Sequence, residues 1–132
     1  MPVTLKLTTP VHVLTPIQGL QITFTASDGE IGVREGHAPL VALVGHGRVE
    51  VTAKDGKRSI WAVRSGVAQV LKDEVNVLVD DAVDAATVDA AKVQTRLDAL
   101  NAGEAPTAPD EAAWLKAQLA VVARRLVVGK SH

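Results

Sequence analysis

The hydrophobic pattern of the sequence changes its period near Ala82. Before that point, apolar and polar residues mostly alternate in short runs rich in β-branched side chains, as in "LQITFTA" and "VNVLV". After it, the sequence is rich in alanine and its apolar residues recur at helical spacing. Alternation places side chains on the two faces of a strand, whereas helical spacing places them on one face of a helix. The chain is therefore predicted to be a β domain over residues 1–84 followed by helices over residues 85–132.

The β part consists of many short strands with close turn signals and no helical segment between them. Such a series is typical of a sandwich or a barrel. Ser65-Gly66 is interpreted as one of the hairpin turns between its strands.

Asp55-Gly56 predicts a hairpin whose register can be derived from the sequence. The dipeptide is typical of a two-residue type I′ turn. That turn pairs Val51 with Ile60 on one face of the sheet and Glu50 with Trp61 on the other.

Two helices are predicted in the C-terminal part. Thr87 is the expected N-cap of the first, with Asp89 in its first turn, where the helix dipole favours an acidic side chain. The second is predicted from about Asp110 to Val128. Its expected apolar stripe is Leu115, Leu119, Val122 and Leu126. Two such helices make an antiparallel hairpin too small to be stable alone, so it must pack on the β domain or on a partner.

The composition excludes several classes of function. A net charge of -1 gives no electrostatic basis for binding nucleic acid or an anionic membrane. The absence of cysteine excludes disulfides, thiolate metal sites and cysteine nucleophiles. No signal-peptide pattern and no run long enough to span a bilayer is found. The chain is expected to be soluble and cytoplasmic, and able to sit on a membrane complex.

A search for catalytic and metal-binding patterns finds none. The histidines form no His-x-x-x-His pair, and no nucleophile elbow or Walker A pattern occurs. The acidic residues between Asp73 and Asp89 fit no calcium loop and are interpreted as a solvated face. No catalytic residue and no metal site is predicted from these patterns.

The stretch "GEIGVREGHAPLV", residues 29–41, contains a histidine in a glycine-rich setting. Its glycines suit a chain that turns repeatedly with positive φ, and Pro39 directs the return into a strand. No nucleophile or second histidine lies near His37 in the sequence. A structural or contact role for His37 is therefore preferred over catalysis.

This stretch resembles the signature of the epsilon subunit of F-type ATP synthase, which is called delta in mitochondria. The resemblance rests on Gly-Glu-Ile-Gly at 29–32 and Gly-His-Ala-Pro-Leu at 36–40. "WAVRSGVAQV" resembles the family's Ser-Gly-Gly strand, with Val67 in place of the second glycine. The resemblance implies a sandwich of about ten strands followed by a two-helix hairpin.

The resemblance also implies a role and partners. The family's subunit is non-catalytic, belongs to the central stalk, is clamped to the gamma subunit and touches the ring of c subunits. It couples proton-driven rotation of that ring to the catalytic alpha/beta head. For this chain it implies a peripheral location at the cytoplasmic face of a bacterial inner membrane.

Carried over residue by residue, the resemblance suggests three contact residues. Glu30 is the first candidate for a contact with the polar loop of the c subunit, followed by Gly36 and His37 in the next turn. Leu40 and Val41 fit either the core or a subunit interface.

The helices carry two further candidate sites by resemblance. The family's ATP-binding motif matches at Asp89, but Lys92 replaces its arginine and loses the planar fork for bidentate contact. Nucleotide binding is interpreted as weak or absent, and no cofactor is expected. Arg124 and Arg125 are the candidates for an inhibitory contact with the catalytic beta subunit.

Two other classes of function stay open from the residues themselves. One is a free-standing β-sandwich that binds a ligand or regulates a partner. The other is a hydrolase or metalloenzyme whose residues converge only in space.

Overall fold

A computed structural model of the chain describes residues 2–104 and 110–129. The strands are β1 (Val3–Thr9), β2 (His12–Val13), β3 (Ile17–Gly19), β4 (Gln21–Ala26), β5 (Gly29–Val33), β6 (Leu40–Thr52), β7 (Arg58–Leu71) and β8 (Glu74–Asp84). A turn of 3-10 helix (Ala85–Thr87) leads to helices α1 (Ala90–Asn101) and α2 (Glu111–Gly129).

The strands form one hydrogen-bonded sheet that folds over into a sandwich. Their order is β2-β1-β8-β7-β6-β4-β5, with β3 paired to β1. β1 and β4 are separated by three strands in this order, yet they contact each other, because the sheet closes over one core. The predicted β-sandwich followed by two helices is confirmed. The described residues form eight strands, roughly the predicted number, and three of them are long: β6, β7 and β8 have 13, 14 and 11 residues.

The core between the layers is built by strict alternation. On β1 and β8 every second side chain is buried and aliphatic: Val3, Leu5, Leu7, Val75, Val77 and Val79. Phe24 of β4 is fully buried among them. The alternate positions of these strands form the outer faces of the sandwich, where partners and helices can bind.

The β6–β7 hairpin differs from its predicted register by one residue. The N–H of Gly56 donates to the carbonyl of Ala53 (3.0 Å), and Gly56 has a φ of +88°. This is a three-residue loop with a left-handed glycine, not a two-residue turn. Glu50 therefore lies opposite Ile60 instead of Trp61. A one-residue shift moves side chains to the other face, so the predicted face for Ile60 is wrong.

Ser65 and Gly66 lie inside β7, so the hairpin turn predicted there is wrong. The register of β7 with both neighbours is the same before and after Ser65, whose φ of +44° bends the strand. A Cβ on residue 66 would lie 1.9 Å from the carbonyl oxygen of Leu78, so the close approach of β8 requires glycine.

A bulge in β6 breaks its pairing with β4. The register shifts between Phe24 and Ala26, which leaves residues 45–48 of β6 as the bulge. The N–H of Arg48 donates to the hydroxyl oxygen of Thr25 (3.1 Å) and fixes the bulged segment. The bulge turns the side chains of His46 and Arg48 toward α2.

Both predicted helices are present, and α2 covers one outer face of the sandwich. Asp89 is the N-cap of α1, so the predicted cap at Thr87 is wrong; Thr87 ends the 3-10 turn. The face of α2 that packs on the sheet is Trp114, Ala117 and Val121, against Ile60, Ala62 and Ala85. The predicted stripe is rotated from this face: Leu115 is buried, but Leu126 is 56% exposed.

Candidate functional site

The outer face of the sandwich away from α2 carries a row of exposed apolar side chains. The row crosses β6, β7 and β8 at the paired positions Leu43, Val67 and Leu78. It continues past the half-buried Thr8 of β1 to Val13 of β2. Val13 and Leu43 are 71% and 67% exposed. We call this set, with Val41 beside it, the apolar row. Contiguous exposed apolar surface of this kind marks a binding site.

The apolar row was not predicted from the sequence, although one segment carried a signal for it. "LVALV", residues 40–44, is apolar at both alternating positions. The structure shows which face of this segment is buried: Leu40 packs against the core, whereas Val41 is 68% exposed. A strand that is apolar on both faces and has no cover on one of them needs a partner there.

Glu30 lies at the β4–β5 turn, where a groove joins it to the apolar row. The groove has a volume of about 390 Å³ and runs between residues 26–31 and residues 40–43. The Glu30 carboxylate is about half exposed and accepts from Nη2 of Arg48 at 2.7 Å. This end of the surface therefore combines an acidic group with apolar walls.

Gly36 and His37 lie at the other end of β5 from Glu30. The N–H of Gly36 donates to Oδ1 of Asp73 (2.8 Å), and its φ of +80° suits glycine. Nδ1 of His37 donates to the carbonyl oxygen of Ala38 (2.7 Å). The bond to Asp73 fixes the turn after β5 against the β7–β8 turn, and the His37 bond lies within the turn itself. The three predicted contact residues thus lie in two separate turns.

Under α2, Glu50 is buried and paired with arginines. Its carboxylate accepts from Nε of Arg124 (3.0 Å) and from Nη1 of Arg58 (3.0 Å), with Nε of Arg48 at 3.5 Å. Burial acts to raise the pKa of Glu50, but the hydrogen bond and charge of Arg124 and the two other guanidinium groups outweigh it, so the pKa is lowered. Glu50 therefore stays ionised and holds the C-terminal half of α2 to β6.

A second polar contact holds the start of α2. Asp110, next to the first helical residue, accepts from Nε and Nη2 of Arg64 (2.8 and 2.7 Å), and Nε2 of His46 lies 3.0 Å away. Hydrogen bonds from Arg64 and then His46 hold the pKa of Asp110 well below its ordinary value. The two contacts, here called the Glu50 clasp and the Asp110 clasp, lie near the two ends of α2.

The candidate residues of the two helices lie in different surroundings: some are bound within the subunit and others are exposed to solvent. The Asp89 carboxylate accepts from the backbone N–H of Lys92 (3.1 Å) as the N-cap, and the Lys92 side chain is exposed. Arg124 is bound to Glu50, whereas Arg125 points to solvent. Adjacent helical residues diverge by about 100°, so these two arginines cannot serve the same contact in this conformation.

The described ranges, 2–104 and 110–129, contain neither a metal-ligand cluster nor a membrane-spanning helix. No three acidic or histidine side chains there are grouped closely enough to hold a metal ion. Neither helix in those ranges is long and apolar enough to cross a bilayer.

Comparisons with known proteins agree on one family. The family model described as ATP synthase, Delta/Epsilon chain, beta-sandwich domain, matches residues 2–85, more than half of the chain. An ATP synthase epsilon chain from Synechococcus sp. (strain JA-2-3B'a(2-13)) is 38% identical over 98 residues, covering 70% of this chain and 71% of that one. The epsilon chain from Solibacter usitatus (strain Ellin6076) is 37% identical over 100 residues, 74% of each chain.

A solved structure is similar over almost the whole chain. It is the OSCP/F1/c-ring part of the mitochondrial ATP synthase of Euglena gracilis, in rotational state 1. One of its chains matches with a TM-score of 0.70 and 26% identity, over 98% of this chain and 81% of that chain.

Proposed function

Because this chain belongs to the ATP synthase delta/epsilon family, we propose that it couples rotation of the c-subunit ring to the catalytic alpha/beta head of a proton-translocating F-type ATP synthase. It is a non-catalytic subunit, and in this role it transmits torque within the rotor. The observation that carries the proposal is the apolar row, a bare apolar strip on the outside of a sandwich of this family.

The apolar row is proposed as the surface that binds the gamma subunit. Its residues lie in register across the strands that carry them. Leu43 and Leu78 are 67% and 56% exposed, so covering them with a partner is worth about 1–2 kcal/mol for each side chain. A rotor subunit must stay attached while torque passes through it, and this row supplies the attachment.

Glu30 is proposed as the contact to the polar loop of the c subunit. It is exposed, acidic and next to the groove that leads to the apolar row. Gly36 and His37 lie at the opposite end of β5, so they are proposed as a second contact to the rotor, through the turn that Asp73 holds in place. A basic group on the ring would pair with Glu30 at the rim of the interface, where such pairs set specificity more than affinity.

Residues 1–84 are proposed to form the rotor-binding domain and residues 85–132 a regulatory hairpin. Arg124 and Arg125 are proposed to contact the catalytic beta subunit when the hairpin leaves the sandwich. Arg124 must first be released from Glu50, whereas Arg125 is already exposed. No nucleotide is required in this proposal, since the carboxylate of Asp89 serves as the helix cap.

The proposed location is the cytoplasmic face of a bacterial inner membrane, where the chain is peripheral and held through the complex. Its partners there are gamma, the c-subunit ring and the alpha/beta head, and nucleic acid is not among them.

The attachment is tested by Leu43→Glu and Leu78→Glu in the assembled enzyme. Each places a charge inside the proposed gamma interface, so we expect at least a tenfold loss of gamma affinity, from about 2 kcal/mol. Proton pumping should fall with it. Leu126→Glu is the matched control, because Leu126 and Leu78 are equally exposed, at 56%. Unchanged gamma binding in both row variants would refute the attachment.

The regulatory proposal is tested by Arg125→Gln. Arg125 is outside the Glu50 clasp, so its loss should leave α2 docked while raising ATP hydrolysis by the assembled head. Unchanged hydrolysis with Arg125→Gln and with Arg124→Gln would refute the inhibitory contact.

A further inference from the structure

Arg48 lies between two carboxylates, one on the surface and one beneath α2. Its Nη2 is 2.7 Å from Oε2 of Glu30, and its Nε is 3.5 Å from Oε1 of Glu50. The same oxygen of Glu50 accepts from Nε of Arg124 at 3.0 Å. Four charged side chains therefore form a line from the β4–β5 turn to α2, here called the charge line: Glu30, Arg48, Glu50 and Arg124.

The Arg48 guanidinium has one buried hydrogen-bond donor, its Nε–H, without an acceptor. Its Nε is buried and, within the described ranges, has no hydrogen-bond partner. The 3.5 Å approach to Glu50 satisfies the distance of an ion pair but not the geometry of a hydrogen bond. A buried donor left in this way costs free energy. The acceptor that would satisfy it is the oxygen that Arg124 occupies.

We propose that Arg48 is a switch residue that responds to a partner bound at the Glu30 carboxylate. When the partner binds, Arg48 turns from Glu30 to Glu50 and displaces Arg124, and α2 is released. The inference rests on the proposed function in one respect, the assignment of Glu30 as a partner contact. A basic group on Glu30 removes the outer anchor of Arg48. The guanidinium then pairs with Glu50 through two N–H groups, the geometry that a carboxylate favours.

The exchange keeps Glu50 compensated after α2 has left. Arg58 already holds Oε2 of Glu50 at 3.0 Å. Arg48 takes over the two hydrogen bonds that Arg124 now donates to Oε1 and Oε2. Removing one partner of a buried ion pair is costly because the remaining charge is left uncompensated. With Arg48 in place that cost disappears, so occupation of Glu30 makes release of α2 easier.

The structure leaves room for the movement. A cavity of about 400 Å³ lies between the β6 bulge and α2, and Thr25, Arg48, Lys116 and Arg124 are among the residues that line it. The Arg48 guanidinium borders this space. The first step of the switch is therefore proposed as a change of the Arg48 rotamer, and the release of α2 follows it.

Hydrogen exchange on the isolated full-length chain tests the switch, because α2 amides exchange when the helix leaves the sheet. Glu30→Gln removes the outer anchor of Arg48 in the absence of any partner. We expect exchange of amides 114–124 to rise about two- to fivefold, in the range of an exposed ion pair. Amides of β1 and β8 should keep their rates, which shows that the sandwich is intact. Asp28→Asn, in the same turn, is the matched control and should change nothing.

The Arg48→Gln background decides whether Arg48 carries the effect. The hydrogen bond to Glu50 is the main cause that raises the pKa of Arg124, and the more distant charge of Glu30 adds to it. Glu30 therefore also attracts Arg124 directly. The switch predicts that most of the acceleration by Glu30→Gln disappears once Arg48 is replaced, and that only the small part due to this direct attraction remains. The same acceleration in both backgrounds, or none in the native background, overturns the proposal.

This test separates the switch from the proposed function. It is made on the chain alone, so a failure of gamma or c-ring binding in the assembled enzyme would leave its result standing. Conversely, an intact rotor subunit whose α2 exchange ignores Glu30 would refute the switch alone.

Discussion

The two outer faces of the sandwich both carry apolar side chains, but only one of the faces is covered by a helix. One face is covered by α2 and combines an apolar centre, Ile60 and Ala62, with a buried carboxylate, Glu50. The other is covered by neither α1 nor α2 and, within the described residues, presents the apolar row to solvent. Both faces belong to the same long strands, β6 and β7, on either side of the β6 bulge and the bend at Ser65.

The difference indicates which contact is built to be reversible. Charged groups become well solvated when a contact opens, whereas an apolar row exposed to water is always unfavourable. A helix held partly by ion pairs can therefore leave at a moderate free-energy cost. A permanent rotor contact gains most from apolar burial. The covered face suits a regulatory hairpin, and the bare face suits a lasting partner.

The largest expected effect comes from Trp114→Ala, which empties the apolar centre of the covered face. Trp114 is 7% exposed and packs in the cluster with Ile60 and Ala62. We expect the docking of α2 to lose about 3–5 kcal/mol, measured by hydrogen exchange of α2 amides. Leu126→Ala, on the same helix but exposed, should cost under about 0.5 kcal/mol. Equal effects would mean that α2 is not held by its buried face.

Glu50→Gln should have the next largest effect, because it takes away the carboxylate charge that Arg58 and Arg124 share, while Arg48 keeps its pair with Glu30. We expect about 3 kcal/mol of lost docking free energy, read as faster α2 exchange. Glu74→Gln is the matched change on the bare face, where Glu74 pairs with Lys6 at 2.8 Å in solvent. That exposed pair should contribute less than about 1 kcal/mol. If both changes cost the same, burial does not distinguish the two faces.

Acid should weaken docking through both clasps. The arginine hydrogen bonds at Asp110 hold its pKa far below the ordinary 3.8, and the pKa of Glu50 is also lowered. A lowered pKa in the docked state means that the released state binds protons more readily. Docking should therefore be constant near neutral pH and weaken as the pH falls below about 4.

The measurement is α2 exchange between pH 7 and pH 3, corrected for the intrinsic rate of exchange. Asp110→Asn should remove part of the pH dependence. Its effect at neutral pH should be smaller than that of Glu50→Gln, because Asp110 is 36% exposed and solvent screens its charge. Stronger docking in acid would contradict the assignment of both carboxylates as clasps.

The fold was predictable where local periodicity determines it. The change from alternation to helical spacing separated β8 from α1, and α2 lies within one residue of its predicted span. Glycines and turn residues located most of the strand ends. These signals are local, so neighbouring residues suffice to detect them.

The covered face was not predictable because one turn decides its composition. A two-residue type I′ turn needs positive φ at both Asp55 and Gly56, whereas the three-residue loop needs it at Gly56 alone. That choice moved Glu50 to the side of Ile60, beneath α2. The partners of the clasps are also remote: Arg124 and Glu50 are 74 residues apart, and Arg64 and Asp110 are 46 apart. No sequence spacing relates such pairs.

The smallest effect on stability, and the sharpest contrast between the faces, is expected from Leu78→Gln. Leu78 lies in the middle of the apolar row and is 56% exposed, so the free chain gains little from it. We expect the free energy of unfolding, measured by urea titration, to change by less than about 0.5 kcal/mol. The affinity for gamma should nevertheless fall, because the polar amide would be buried in the interface. A chain that loses stability and keeps gamma would show that the apolar row belongs to the fold of the subunit and not to its attachment.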